Sequence, residues 1–373
     1  MILLRRFLGK IRRFLRHRIA EWIRRAGQKT LHWGAPIGMY RLLDRPGEIT
    51  LVLPGQPLLA PASDSLRVRC GMNQHGRQPW PIFWKHFHNA RLVGENLAEL
   101  RSDKRIMAES IYGYGYDDVS REASLSYVHL PDALHLEGPW TSLVSSWYSH
   151  RRYHYYHWIF DGLPRLALLD AFPPETRIII PPPQHSYHRQ ALEILGVAAR
   201  CRVTPETHLI VEDYYFSSPT AMTGCDNPYA IQFLRDRFLP AAAKLENYPE
   251  KIYVSRRQAS RGPVDEDRII DFLRPLGWTI LEMEAYSLRE QIALFSRARR
   301  VCSVHGAGLV NLLWSPPDCR ILELCAANFL NGCYEGLAVR RGLDYRYLVF
   351  PATQDYRLKV DHAVFADAIR DMN

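Results

Sequence analysis

Several features that would assign a sequence to a class at sight are missing from these 373 residues. The cysteines are few: Cys70, Cys201, Cys225, Cys302, Cys319, Cys325 and Cys333. Their number is odd and no two stand at C-x-x-C spacing, so free thiols in a reducing compartment are expected rather than a disulfide framework or a cysteine metal site. No apolar run is long enough to span a bilayer. The dinucleotide fingerprint G-x-G-x-x-G and the P-loop are both absent, which counts against a nicotinamide-dependent oxidoreductase. There is no solenoid repeat and no long low-complexity linker.

What is present is a globular composition, 47% hydrophobic and 12% aromatic, long enough for two domains. The formal net charge of +9 is concentrated at one end. Residues 1–29 hold ten Lys and Arg against the single acid Glu21, whereas the rest of the chain holds 38 basic and 38 acidic residues. A basic face for nucleic acid on the body of the protein is therefore not expected. In MILLRRFLGKIRRFLRHRIAEWIRR, Leu4, Phe7, Leu8, Ile11, Phe14, Leu15, Ile19 and Trp22 share one helical face, opposite Arg5, Arg6, Lys10, Arg12, Arg13 and Arg16. This pattern predicts a helix lying in an anionic membrane surface through residues 1–26. A helix packed on the protein itself and an organelle transit peptide are the competing readings.

Along the body, ITLVL (49–53), TRIIIP (176–181) and HLIVEDYYF (208–216) have the composition of buried strands, and residues 187–196 and 228–245 have helical spacing. Residues 60–150 give only short strand-like pieces separated by Gly, Pro and Asp. A linker is expected near 240–250. Beyond it, strands at 251–255, 278–282, 301–304 and 320–324 alternate with helices at 264–274, 288–298 and up to about 314. That alternation predicts a parallel, doubly wound sheet. The expected organisation is a basic helix over 1–29, an α/β domain over 30–245, a Rossmann-like domain over 246–350 and a terminal helix within 351–373.

Four segments carry chemistry. VCSVHGAGLVNLLW (301–314) runs a strand through Gly306, Ala307 and Gly308 into a helix, a geometry that can aim backbone N–H groups at a phosphate or can serve packing alone. KIYVSRRQASR (251–261) places Arg256, Arg257 and Arg261 at a strand's carboxyl end, either clamping a diphosphate or forming a solvated loop. Glu323 in RILEL and Glu282 after WTIL are strand-end carboxylates, suited to ribose hydroxyls or to ion pairs. In HYYHWIFDGLPRL (154–166), His157 and Asp161 stand at i, i+4 and share a helical face. They make an acid–base pair or a structural tie. A metal is not expected there, since H-x-x-H presents its imidazoles poorly for zinc and no further His or Cys pair completes a set. Pro164 and Arg165 are expected to kink or restart the helix.

Taken together, SR-x4-R, E-x4-SL-x2-Q-x3-F, HGAGL-x-NLLW and ILEL, with H-W-x2-D-x-LPRL upstream, resemble glycosyltransferase family 61 over roughly residues 150–325. One departure is that Arg261 is followed by Gly262, with Asp265 before Glu266 where the family has Asn. The resemblance implies a GT-B-like α/β fold, two Rossmann-like domains facing across a cleft, and an inverting transfer from a nucleotide-sugar, with a UDP-sugar as the expected donor. An inverting transfer needs a base, and Asp161 is the residue expected in that role, with His157 orienting it or serving as the base itself. Arg256, Arg261, His305, Gly306, Ala307, Gly308, Asn311 and Glu323 are the implied donor-binding residues, with Glu282 and Arg165 as further candidates and no metal or cofactor. The expected acceptor is a glycan or lipid-linked glycan of bacterial capsule or surface polysaccharide, met at the cytoplasmic face of the membrane. A catalytically inactive nucleotide-sugar-binding or scaffolding protein of the same fold is the alternative.

Overall fold

The structure, a computed structural model, describes residues 38–40, 46–53, 81–103, 105–110, 131–145, 148–149, 152–220 and 227–372. The expected basic helix of residues 1–29 and most of the 60–150 loops lie outside them. The described residues fall into two compact units, the first comprising those up to 53 with 81–183 and 200–219, the second 184–199 with 220 onward.

The first unit is built on a seven-stranded mixed sheet. In chain order its strands are β1 (Gly38–Tyr40), β2 (Thr50–Leu53), β3 (Ile82–Val93), β4 (Ala98–Glu99), β5 (Arg105–Met107), β6 (Leu134–Ser142), β7 (Tyr148–Ser149), β8 (Arg152–Tyr153), β9 (Arg177–Ile180), β10 (Cys201–Val203) and β11 (His208–Ser217). The main sheet runs β10-β9-β6-β11-β3-β2, with β4 added to β3, while β1 with β5 and β7 with β8 form separate pairs. β10, β9, β6 and β11 are mutually parallel, but β3 is antiparallel to β11 and to β2. This sheet is therefore mixed rather than doubly wound and parallel throughout. The short pieces expected within 60–150 are in part long strands. β3 has twelve residues, and β6 continues through Gly138-Pro139 with a register shift beside Gly138, whose φ is +76°. Glycine can take that left-handed conformation without a Cβ clash, so the strand bends there instead of ending. Phe83, Leu92, Leu136, Trp140, Leu209, Val211, Tyr214 and Phe216 form the buried face. Each large apolar side chain buried this fully contributes about 1.5–3 kcal/mol.

The second unit opens with α1 (Ser186–Ile194) and α2 (Pro228–Phe238). α2 is shorter than its sequence spacing predicts: after Phe238 one tighter turn reaches Ala241 around Pro240, and irregular chain follows. Then come β12 (Lys251–Val254), α3 (Glu266–Leu273), β13 (Thr279–Leu281), α4 (Leu288–Arg297), β14 (Arg300–Val304), β15 (Arg320–Ala326), α5 (Cys333–Arg341), β16 (Asp344–Phe350) and α6 (His362–Met372). All five strands are parallel in the order β13-β12-β14-β15-β16. The strand order reverses between β12 and β14. α5 and β16 complete the sheet in a stretch where no element was expected. The terminal helix is not an appendage: Phe365, Ile369 and Met372 share one core with Ile269, Ile270 and Leu273 of α3 and with Tyr253, Cys302 and Leu322. α4 begins with the expected capping box, Ser287 with Glu290. Among the described residues no helix is long and apolar enough to cross a membrane.

Candidate functional site

In an open parallel sheet, loops leaving neighbouring strands in opposite directions part at the point where strand order reverses, and a ligand fits at the carboxyl ends there. In the second unit that point lies between β12 and β14. β12 delivers Arg256 and Arg261 to it, and β14 delivers His305 and Gly306.

The Arg256 side chain lies over Gly306, so that a Cβ on Gly306 would fall on the guanidinium. Two hydrogen bonds hold this arginine, and a third orients the carboxylate that accepts one of them. Its backbone N–H donates to Glu266 Oε1 at 2.8 Å, Tyr253 Oη donates to the same oxygen at 3.0 Å, and Arg256 Nε donates to the carbonyl of Arg261 at 2.9 Å. Glu266 therefore anchors the loop from the first turn of α3, a role that sequence reading left unassigned. Burial lowers the pKa of Arg256, and the neighbouring Arg261 lowers it further. Two guanidinium groups brought this close, one of them half-buried, favour an anion between them. The Arg261 guanidinium sits 4.4 Å from the centre of the Phe329 ring, within cation–π range. Arg257 turns away to an exposed ion pair with Asp267. Asp265 pairs with His362 at 2.6 Å, which ties the loop to α6.

His305 follows β14. Its Nδ1 donates to Glu323 Oε1 at 2.5 Å, and its ring lies 5.3 Å from Tyr334 and 5.7 Å from Phe329. Glu323 is fully buried on β15, and its second oxygen accepts from Tyr345 of β16. Burial, followed by the Glu323 charge, holds the Tyr345 hydroxyl well above the ordinary phenol range, so it stays protonated and donating. Both oxygens of Glu323 are thus engaged inside the fold. Glu323 fixes the tautomer and plane of His305.

Asn311 is likewise engaged inside the fold. It is fully buried, donates to Gln291 at 2.9 Å and to the Gly308 carbonyl at 3.2 Å, and accepts from Trp314 at 3.0 Å. Gln291 in turn donates to the carbonyls of Met283 and Tyr286. The motif residues Gln291, Asn311 and Trp314 thus form a brace joining α4 to the turn after β14. The helix expected after HGAG is a short one of 3-10 type, Ala307–Leu313. Gly308 packs against Val254, Ala307 is exposed, and Glu282 stands half-buried after β13.

The first unit holds the other expected pair. Residues 155–171 form one helical run that begins as a turn of α-helix, widens into a π-helix over Trp158–Gly162 and tightens to 3-10 after Pro164 enters at its start. A π segment is costly to keep and collects at functional positions. It places His157 Nδ1 at 2.7 Å from Asp161 Oδ2. Asp161 Oδ1 is buried without a hydrogen-bond partner among the described residues. Arg165 is buried, donating to the carbonyls of Asp161 (3.1 Å) and Val144 (3.3 Å), so it braces the run. Burial lowers its pKa.

No curated protein matches this chain. The model of one protein family, described as Glycosyltransferase 61, matches residues 155–322, a span that begins at the helical run and ends inside β15. Residues 155–322 are a glycosyltransferase family 61 domain, and the protein that carries it is a glycosyltransferase.

Proposed function

We propose that the protein transfers a sugar from a nucleotide-sugar to a glycan hydroxyl with inversion at the anomeric carbon, and that its two units serve as the halves of a GT-B enzyme. The observation that carries the reading is the convergence of Arg256, Arg261 and His305 where the strand order of the second unit reverses. In this reading the donor diphosphate lies between the two guanidinium groups, with His305 as a further hydrogen-bond donor. These groups stabilise the negative charge that grows as the diphosphate leaves. No divalent cation is needed to offset that charge, and a UDP-sugar is the donor we favour.

Acceptor chemistry belongs to His157 and Asp161. His157 Nδ1–H donates to Asp161, which leaves Nε2 as the proton acceptor. The acceptor oxygen attacks the anomeric carbon from the face opposite the diphosphate, and its proton passes to Nε2. The bond from that carbon to the diphosphate breaks, its electron pair departing with the leaving group. Asp161 stabilises the imidazolium that forms. The sequence favoured Asp161 as the base; we assign that role to His157 instead, because it is the less buried of the two. The acceptor we favour is a lipid-linked glycan of a bacterial surface polysaccharide, reached at the cytoplasmic face of a membrane through residues 1–26, where each basic side chain adds about 1 kcal/mol at an anionic surface.

A thermal-shift panel of UDP, GDP, CMP and ADP, with and without EDTA, tests the donor assignment, because a ligand selective for the folded state raises Tm. Selective stabilisation by one nucleoside diphosphate, unchanged by EDTA and lost in Arg256→Ala, is the expected result. No shift with any nucleotide would remove the donor site and favour the scaffolding alternative.

A further inference from the structure

A second cluster lies on the first unit, apart from every residue used above. The core under this sheet takes Phe83 and the half-buried Phe87 from the first part of β3 but Ala90 and Leu92 from the second; from β11 it takes Leu209 and Val211, then Tyr214 and Phe216. The alternation thus slips by one residue on both strands at the same level. Asn89 sits there with φ of +50°, and the β11–β6 register shifts between Val211 and Asp213. Such irregularities re-aim side chains. Here they leave His86, His88 and Asp213 on the opposite face of the sheet, with Asp213 directly across from His88 and Tyr215 across from His86.

His86 Nε2 lies 2.8 Å and His88 Nδ1 3.0 Å from the same oxygen, Asp213 Oδ1. The three donor atoms all lie within 4.8 Å of one another. Tetrahedral ligands at about 2.0–2.1 Å from zinc stand roughly 3.3 Å apart, so a few tenths of an ångström of opening would admit a cation. The His86 ring is held in advance, stacked on Tyr215 with centroids 4.5 Å apart and planes 11° from parallel. Phe172 and Trp84 pack beside Tyr215 on the same face.

We propose that His86, His88 and Asp213 bind one divalent cation of the zinc class, cross-linking β3 to β11. Two imidazoles and a single carboxylate suit zinc, whereas magnesium and calcium require more oxygen ligands. With three protein ligands, the fourth position falls to water or to a further side chain. No metal was expected, because H-x-H on a strand gains its third ligand only from a partner strand 125 residues later.

The test uses the full-length, tag-free protein stripped with chelator and titrated with zinc against a chromophoric chelator of micromolar affinity. One equivalent should be withdrawn from the dye. His88→Gln and Asp213→Asn should each weaken that binding at least tenfold, since even losing an outer-shell partner of a metal ligand costs about 10–100-fold. His88 is largely exposed, so its replacement leaves the fold intact, which far-UV circular dichroism verifies. His135→Gln, an exposed histidine on β6, should change nothing. Zinc should also raise Tm in the wild type and not in His88→Gln. The proposal is overturned if the wild type withdraws no zinc, or if both ligand variants keep its affinity and stoichiometry. Equal competition by magnesium would overturn the assigned metal class.

Discussion

The Arg256 guanidinium occupies the space that a side chain on Gly306 would fill. Gly306 has a φ of 173°, an extended conformation open to any residue, so glycine is required here for contact and not for backbone freedom. This one relationship joins SR-x4-R to HGAG, motifs 50 residues apart, and fixes where the positive charge of the second unit is displayed.

Gly306→Ala should therefore act on the donor and not on the fold. The added methyl group forces the guanidinium off its seat while the backbone of Arg256 stays tied to Glu266. We expect nucleotide affinity to fall at least tenfold, about 1.4 kcal/mol, with Tm nearly unchanged. Calorimetric titration of nucleotide alongside thermal denaturation measures both. A variant that retains full affinity would detach Arg256 from the donor.

Removal of the His157 base should stop chemistry without unseating the donor. His157→Ala and Asp161→Asn are each expected to lower kcat by about 10²–10⁴-fold, with nucleotide affinity kept. Asp161→Asn keeps the shape of the pair but removes the charge that holds the His157 tautomer. If nucleotide binding fell together with kcat, the pair would belong to the donor or to the fold.

Asn311 separates scaffold from site in the opposite sense. Asn311→Ala takes from the Gln291 amide oxygen and the Trp314 indole N–H the hydrogen bonds that Asn311 makes with them inside the core, and an unsatisfied buried polar group costs about 1–3 kcal/mol. The stability loss should appear in urea titration, while nucleotide affinity measured well below Tm stays at the wild-type value.

Acid should weaken the second unit through His188. This side chain is fully buried on α1, and burial pulls its pKa down from 6.5 to about 4. A depressed histidine stays neutral in the folded protein while its unfolded counterpart gains a proton. Its contribution is present above pH 6.5, declines as pH falls below that value and is lost as pH passes through about 4. The amount at stake is on the order of 1–3 kcal/mol. His188→Leu should flatten the dependence of Tm on pH across that interval. An unchanged pH profile would mean that His188 is not the group responsible.

Much of the second unit was legible in sequence because its signals are local. KIYV, RVCSV and RILEL are apolar runs of strand length, Ser287 and Glu290 cap α4 within a single turn, and helical spacing marks α3 and α4. In the first unit, β3 and β6 were harder to see. Their alternation is broken by Asn89 and Gly138, residues that end a strand in local statistics but only bend it when neighbouring strands supply the hydrogen bonds. β16 was missed for a related reason, since DYRYLVF is mostly half-buried and gains its identity by pairing with β15.

The sequence alone determined which residue types stand at the ends of which strands, because apolar periodicity and glycine, proline and capping signals act over a few residues. It therefore brought Arg256, Arg261, His305, His157 and Asp161 forward. Only the tertiary structure decided what each of them faces. Strand order put β12 beside β14, and so Arg256 on Gly306; the β15–β16 pairing enclosed Glu323 between His305 and Tyr345, and the packing of α4 turned Asn311 inward. These are contacts between residues far apart in the chain. They are fixed by which elements pack together, a choice made by the burial of the whole core and not by any one segment of it.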